Sequence, residues 1–225
     1  MTDRDFITEI APVVQKYARQ YDYDVASPII AMACLESGFG RSALAARYHN
    51  YFGMKCGSGW TGRSVMFNTK EEYTPGQLTD VKSAFRAYDS LDDGVHGFFE
   101  FIQYPRYANL RFAKTPEEFL TMIRADGYCT SSSYVSNNMK LVEKYNLRRF
   151  DEPEPIRQVS YAAVVTASAL NVRQNHGTEY PIVMSGGSKL CLPKGMVIAI
   201  CAECGEWGRL ADFEGWVSLN YIRKG

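Results

Sequence analysis

The chain has 225 residues, 46% of them hydrophobic and 22% charged, the composition of an ordinary globular protein with room for one large domain or two smaller ones. Basic and acidic side chains balance, 18 against 17 in residues 1–150 and 7 against 8 in residues 151–225, so neither part has the basic footprint of a nucleic-acid binder. No apolar run approaches the length of a membrane span, and the acidic, amphipathic stretch at 1–10 lacks the regions of a signal peptide, so no membrane partner is expected.

Phe6, Ile10, Val13, Val14, Tyr17 and Tyr21 recur at helical spacing, and Thr2 can cap a first helix over 2–21. Ser27-Pro28 reads as an N-cap followed by proline at the first helical position. The apolar run from Pro28 to Leu35 predicts a core helix, stopped by Gly38 and Gly40. Glu36 falls at its C-terminal end. Partial loss of water and the negative end of the helix dipole both raise the pKa of a carboxyl there, which suits a general acid near neutral pH. The alternative is a carboxylate at the solvent end of a core helix with no chemical role.

A short helix opens at 41–46. From Asn50 to Phe85, glycines 53, 57, 59 and 62 and the Thr/Val/Tyr-containing segments predict loops and a β-hairpin that turns at Thr74-Pro75-Gly76. Helices resume over 89–103, over 117–126 behind the capping box Thr115-Pro-Glu-Glu118, and over 134–145. This part is α+β with helix dominating.

Asp151-Glu-Pro-Glu-Pro155 opens a semi-rigid connection, which places domains at 1–150 and 161–225 with a linker at 151–160. Short strand-like runs at 163–169, 181–184, 196–201, 207–210 and 214–219, separated by turn signals such as Asn175-His-Gly177 and Lys194-Gly195, predict a small β-barrel. Cys201-Ala-Glu-Cys204 lacks the four ligands of a zinc site and reads as strand and turn. His49, His96 and His176 share no ligand spacing, and Cys129 with His96 has neither the spacing nor the orienting residue of a thiol protease. No metal and no cofactor are expected. Among the many aromatics, Tyr51, Phe52, Tyr107 and Tyr128 either floor a sugar groove or serve the core.

Five motifs occur in order: Glu36-Ser-Gly-Phe-Gly-Arg-Ser42; Asn50-Tyr-Phe-Gly-Met-Lys55; Glu72-Tyr73 followed by Phe85-Arg-Ala-Tyr-Asp-Ser90; Pro105-Arg-Tyr-Ala108; and Gly127-Tyr-Cys-Thr130 with Tyr134. The series, over residues 5–150, resembles glycoside hydrolase family 73, the N-acetylglucosaminidase-type bacterial cell-wall hydrolases. The resemblance implies a lysozyme-like, mainly helical catalytic domain with a small β-lobe. It implies that Glu36 protonates the oxygen of the leaving sugar, that Glu72 is the second carboxylate on a mobile β-lobe, and that Tyr134 lines the catalytic groove. Glu71, next to Glu72, should face the other way, because consecutive strand residues do. The segment Gly127-Tyr-Cys-Thr-Ser-Ser-Ser-Tyr134 departs from the family's usual Gly-Tyr-Ala-Thr-Asp-Pro.

The implied substrate is the glycan strand of peptidoglycan, cut internally at the β-1,4 bond after N-acetylglucosamine. Glu72 activates a water for inversion, or the substrate's own N-acetyl oxygen attacks with Tyr134 and Glu72 in support. A lytic transglycosylase, a muramidase and a non-catalytic wall-binding protein are the rivals. Ala169-Leu-Asn-Val-Arg173, Gly177-Thr-Glu-Tyr180, Pro193-Lys-Gly195, Glu206-Trp207 and Gly215-Trp-Val-Ser218 resemble a bacterial SH3-like (SH3b) barrel, with a longer insertion between Tyr180 and Lys194 than is usual. Such a module implies binding to wall peptide or glycan. A monomer is expected, made in the cytoplasm as a phage-type endolysin, or alternatively a secreted autolysin with its leader removed.

Overall fold

Among the described residues, six α-helices, two 3-10 helices and one long hairpin build the first unit of the chain, and caps define where several of the helices begin. The computed structural model describes residues 1–74, 77–152, 155–178 and 180–225, and for 68–74 and 77–81 it describes the backbone alone. Two compact units result, Met1–Glu152 and Pro153–Gly225. Helix α1 (Asp3–Gln20) opens on a reciprocal capping box between Thr2 and Asp5. Helix α2 (Ser27–Ser37) follows, then α3 (Ala43–Tyr48), α4 (Leu91–Phe101), α5 (Pro116–Ala125) and α6 (Tyr134–Lys144). Ser90 caps α4 and Thr115 caps α5. The α5 box is not reciprocal, since Glu118 accepts from the Lys114 amide rather than from that of Thr115.

Helix α2 is buried from Ser27 through Cys34 and packs against α1, α5 and α6. Ile29 and Ile30 are wholly covered, each contributing roughly 1.5–3 kcal/mol by leaving water. Its start differs from the expectation of a Ser27 cap. Ala26 occupies the cap position, and the Asp151 carboxylate accepts from the Ala26 amide at 2.8 Å, the Ser27 amide at 2.6 Å and the Ser27 hydroxyl at 2.7 Å. An anion from far along the chain thus satisfies amides that the helix leaves open, at its positive end. Asp151, read as the first linker residue, is held in the helical unit by these bonds.

Strands β1 (Ser64–Thr74) and β2 (Gln77–Arg86) form the antiparallel hairpin, with Glu71 opposite Thr79 and Glu72 opposite Leu78. The expected turn at Pro75-Gly76 lies outside the described residues.

Among the described residues the regular elements of the second unit are strands and one short 3-10 turn. Its strands are β3 (Arg157–Val165), β4 (Ala169–Asn171), β5 (Met184–Ser185), β6 (Ser188–Lys189), β7 (Cys191–Pro193), β8 (Val197–Cys204), β9 (Trp207–Leu210), β10 (Trp216–Ser218) and β11 (Ile222–Lys224). Five of them make one antiparallel sheet in the order β10-β9-β8-β3-β11, while β4 pairs with β7 and β5 with β6. Among the described residues no pairing closes this sheet into a barrel. Strand β3 begins at Arg157, inside the stretch read as linker, because Arg157 pairs with Glu203 both in strand register and through an ion pair of 2.7 Å. Cys201 and Cys204 lie on β8, and no cluster of metal-ligating side chains occurs among the described residues. No helix there is long and apolar enough to cross a membrane.

Candidate active site

Glu36 is the last residue but one of α2, and Gly38 ends that helix in the left-handed conformation, φ +57°. Gly40 is also left-handed, and a Cβ there would lie 2.8 Å from the Phe6 ring, so the chain turns sharply away from α2 over the core. The next wall is the loop at 50–54. Gly53, φ +62°, runs so close to Glu36 that a Cβ on it would sit 3.8 Å from Glu36 Oε2.

Asn50 fixes that loop. It is 1% exposed; its Nδ2 donates to the carbonyls of Met54 and Arg86, and its Oδ1 accepts from the Met54 amide. The loop is thereby tied to the end of β2 with every polar atom of the amide used. Asn50 stood in a quoted motif, but sequence reasoning gave it no task; an asparagine followed three residues later by glycine was the available signal.

The third wall carries two tyrosines. Tyr128 is half-buried and donates to the Phe52 carbonyl at 2.8 Å, and its ring lies 6.1 Å from that of Tyr134. Tyr134, the first residue of α6, is 3% exposed, and among the described residues its hydroxyl lies by the Asn138 side chain without a well-aligned hydrogen bond. Burial holds both phenols far above their ordinary pKa, and the neighbouring Glu36 charge pushes them further.

Loss of hydration pushes the Glu36 carboxyl up from the ordinary 4.5 to about 7. Glu36 nonetheless keeps substantial exposed surface. Both hold at once: part of the side chain meets solvent, while the loop at Gly53 lies close against the carboxyl. Burial alone is the cause; the helix end supplies the position.

The structure thus gathers Glu36, Tyr128 and Tyr134. Tyr51, Phe52 and Tyr107 are core residues instead, at 6%, 2% and 1% exposure. Tyr51 packs on Phe6, Phe52 stacks on Phe98 with centroids 4.0 Å apart, and Tyr107 packs on Phe101. This packing favours the core alternative of the two left open for these three residues. The side chain of Glu72 lies outside the described residues; its backbone places it on β1. His96 is occupied by Tyr21, 2.9 Å away, and stacks on Tyr17, with no part in a thiol site.

Residues 11–147 match the family model described as glucosaminidase, mannosyl-glycoprotein endo-beta-N-acetylglucosaminidase. Peptidoglycan hydrolase FlgJ of Pseudomonas aeruginosa is 36% identical over 136 residues, 58% of this chain and 34% of that protein. Exo-glucosaminidase LytG of Bacillus subtilis is 32% identical over 148 residues, 63% of this chain and 51% of that protein. The chain therefore spans between a third and about half of the length of these relatives. In structure, the catalytic domain of the autolysin Auto from Listeria monocytogenes aligns with a TM-score of 0.58 at 25% identity, covering 66% of this chain and 86% of that one.

Proposed function

Because the chain belongs to this glucosaminidase family, we propose that it hydrolyses the glycan of bacterial peptidoglycan, cutting internally at the β-1,4 bond after N-acetylglucosamine. The observation that carries the reading is the Glu36 carboxyl, raised to about 7 at the partly exposed end of a buried helix, with Gly53, Tyr128 and Tyr134 around it. Such a group still holds a proton near neutral pH and can deliver it to the glycosidic oxygen as the C1–O bond breaks.

One feature favours assistance by the substrate's N-acetyl group. Among the described residues the buried Tyr134 hydroxyl has the Asn138 side chain beside it but no well-aligned hydrogen bond, and an acetamido oxygen is a fitting acceptor for it. The acetamido oxygen attacks C1, Glu36 protonates the leaving sugar, and water then opens the cyclic intermediate with retention, returning a proton to Glu36. Glu72, on the hairpin, is the supporting carboxylate. If Glu72 instead activates water directly, the product is inverted. The anomer formed by the parent, read with the losses in Glu72→Ala and Tyr134→Phe, separates the two routes.

The second unit is proposed as an SH3-like wall anchor that raises the local concentration of the first on its substrate. The whole acts at the cell wall as a monomer. Mass spectrometry of the released fragments tests the reading. Reducing N-acetylglucosamine ends are expected; anhydro-muramic ends would establish a lytic transglycosylase instead, and undiminished cutting by Glu36→Gln would remove Glu36 from the chemistry.

A further inference from the structure

The buried stripe of α6 holds a polar residue that neither the packing nor the chemistry above accounts for. Tyr134, Asn138 and Val142 recur four residues apart and are all covered, on a helix that packs against α2 and α5. Such a stripe is ordinarily apolar throughout. Asn138 stands in the middle of it at 0% exposure. Its Nδ2 donates to the Tyr134 carbonyl at 2.9 Å, while its Oδ1 is buried and, among the described residues, accepts nothing.

An amide oxygen stripped of water and left without a donor costs stability, so packing alone gives no reason for asparagine here. The single bond to the backbone sets the orientation of the amide. A carbonyl only accepts, so the amino end must be the end beside the Tyr134 carbonyl. Side chains on a helix lean back towards its N-terminus, which carries the Asn138 amide over the residue one turn earlier, Tyr134. Against the rise that burial imposes, this side chain eases ionisation of the Tyr134 phenol, as an N–H group facing the phenol oxygen does and an amide oxygen does not.

A phenol that meets an amino group cannot donate its own hydrogen to it, because that nitrogen does not accept. The Tyr134 hydroxyl hydrogen is therefore turned away from Asn138. Glu36 is the charged neighbour that acts most strongly on this phenol, with Cys129 and Tyr107 acting more weakly. The Tyr128 ring lies 6.1 Å away and donates its own hydroxyl hydrogen to the Phe52 carbonyl.

We propose that Asn138 is a positioning residue, holding the Tyr134 hydroxyl with its hydrogen directed to the Glu36 side, ready for the acetamido oxygen of the substrate. Asn138 touches no reacting atom and acts through Tyr134 alone. This role rests on the substrate-assisted reading above. A donor fixed beforehand need not be oriented as the acetamido oxygen attacks, so the benefit falls on the chemical step rather than on binding.

The test is a double-mutant cycle on the full-length chain. Asn138→Leu keeps the branched shape and removes both amide groups, and Asn138→Ala covers the case in which leucine overpacks the site. Each is made in the parent and in Tyr134→Phe, with soluble glycan strands as substrate, reducing ends counted and thermal melting recorded alongside. In the parent background kcat should fall about five- to tenfold, the equivalent of one net hydrogen bond, with KM unchanged. In the Tyr134→Phe background the same changes should cost nothing further, because the hydroxyl through which Asn138 acts is gone. The melting temperature of Asn138→Leu should hold or rise, since the orphan oxygen is removed and the Tyr134 carbonyl keeps its place in the helix ladder. Equal losses of kcat in both backgrounds, a loss confined to melting temperature, or unchanged kcat in both variants would overturn the role and leave Asn138 a packing residue. Failure of the underlying reading looks different. Glycan left uncut by the parent would refute hydrolysis, and full activity in Tyr134→Phe would refute the Tyr134 step; either removes the role of Asn138 with it.

Discussion

Replacing Glu36 with Gln keeps shape and removes one ionisation, so its effect on stability must depend on pH. In the folded protein the carboxyl titrates at about 7, against 4.5 ordinarily. Because the folded value is the higher one, the parent is favoured below 4.5, where the group is protonated in both states. Stability is then lost as pH rises towards about 7, where the unfolded chain ionises freely and the native site resists, and the loss is complete above that. The full displacement would correspond to roughly 3 kcal/mol. Glu36 is open to water on one side, so screening reduces this to about 1 kcal/mol. Glu36→Gln should therefore match the parent at about pH 4 and exceed it by about 1 kcal/mol at about pH 8. That corresponds to ~2–4 °C in melting temperature. All the α-helices among the described residues belong to the first unit, so helical circular dichroism during urea titration follows that unit. Catalysis should fall in the same variant by about 10²–10⁴-fold. A stability difference that is the same at both pH values, or a variant less stable at the higher one, would refute the claim that the site desolvates this carboxyl.

The parent's kcat should decline on the alkaline side with an apparent pKa near the Glu36 value of about 7, and a rate flat through neutrality would argue against a general acid. Asp151→Ala leaves two amides at the start of α2 and the Ser27 hydroxyl without their acceptor, and should cost about 1–2 kcal/mol in denaturant titration; an unchanged midpoint would show the cap to be dispensable. Gly94→Ala would gain about 1 kcal/mol on helix propensity alone. The new Cβ would sit 1.9 Å from the His49 carbonyl oxygen, however, so net destabilisation is expected on thermal melting. Residues 156–225 alone should pellet with purified walls, and residues 1–152 should cut soluble glycan while binding whole walls more weakly; equal pelleting of the two would discount the anchor.

What sequence alone determined were the features set by near neighbours. The spacing of Phe6, Ile10 and Tyr17, the Thr2 and Thr115 caps, and the all-apolar run ended by Gly38 each follow from one or two turns of chain, and the helices stand where those signals put them. Glu36 was legible for the same reason, since a lone carboxylate at the end of a buried helix is a local anomaly. Tertiary structure decided everything that needs partners distant in the chain. Asp151 caps α2 across more than a hundred residues, and Asn50 joins a loop to the end of β2. Tyr51, Phe52 and Tyr107 looked equally suited to a groove or a core; only packing against Phe6, Phe98 and Phe101 sent them inward. Arg86 shows the limit most clearly. Arginine in a sequence is a surface residue until the fold buries it, and no local pattern shows that its neighbours will include the aromatic rings of Trp60 and Phe101.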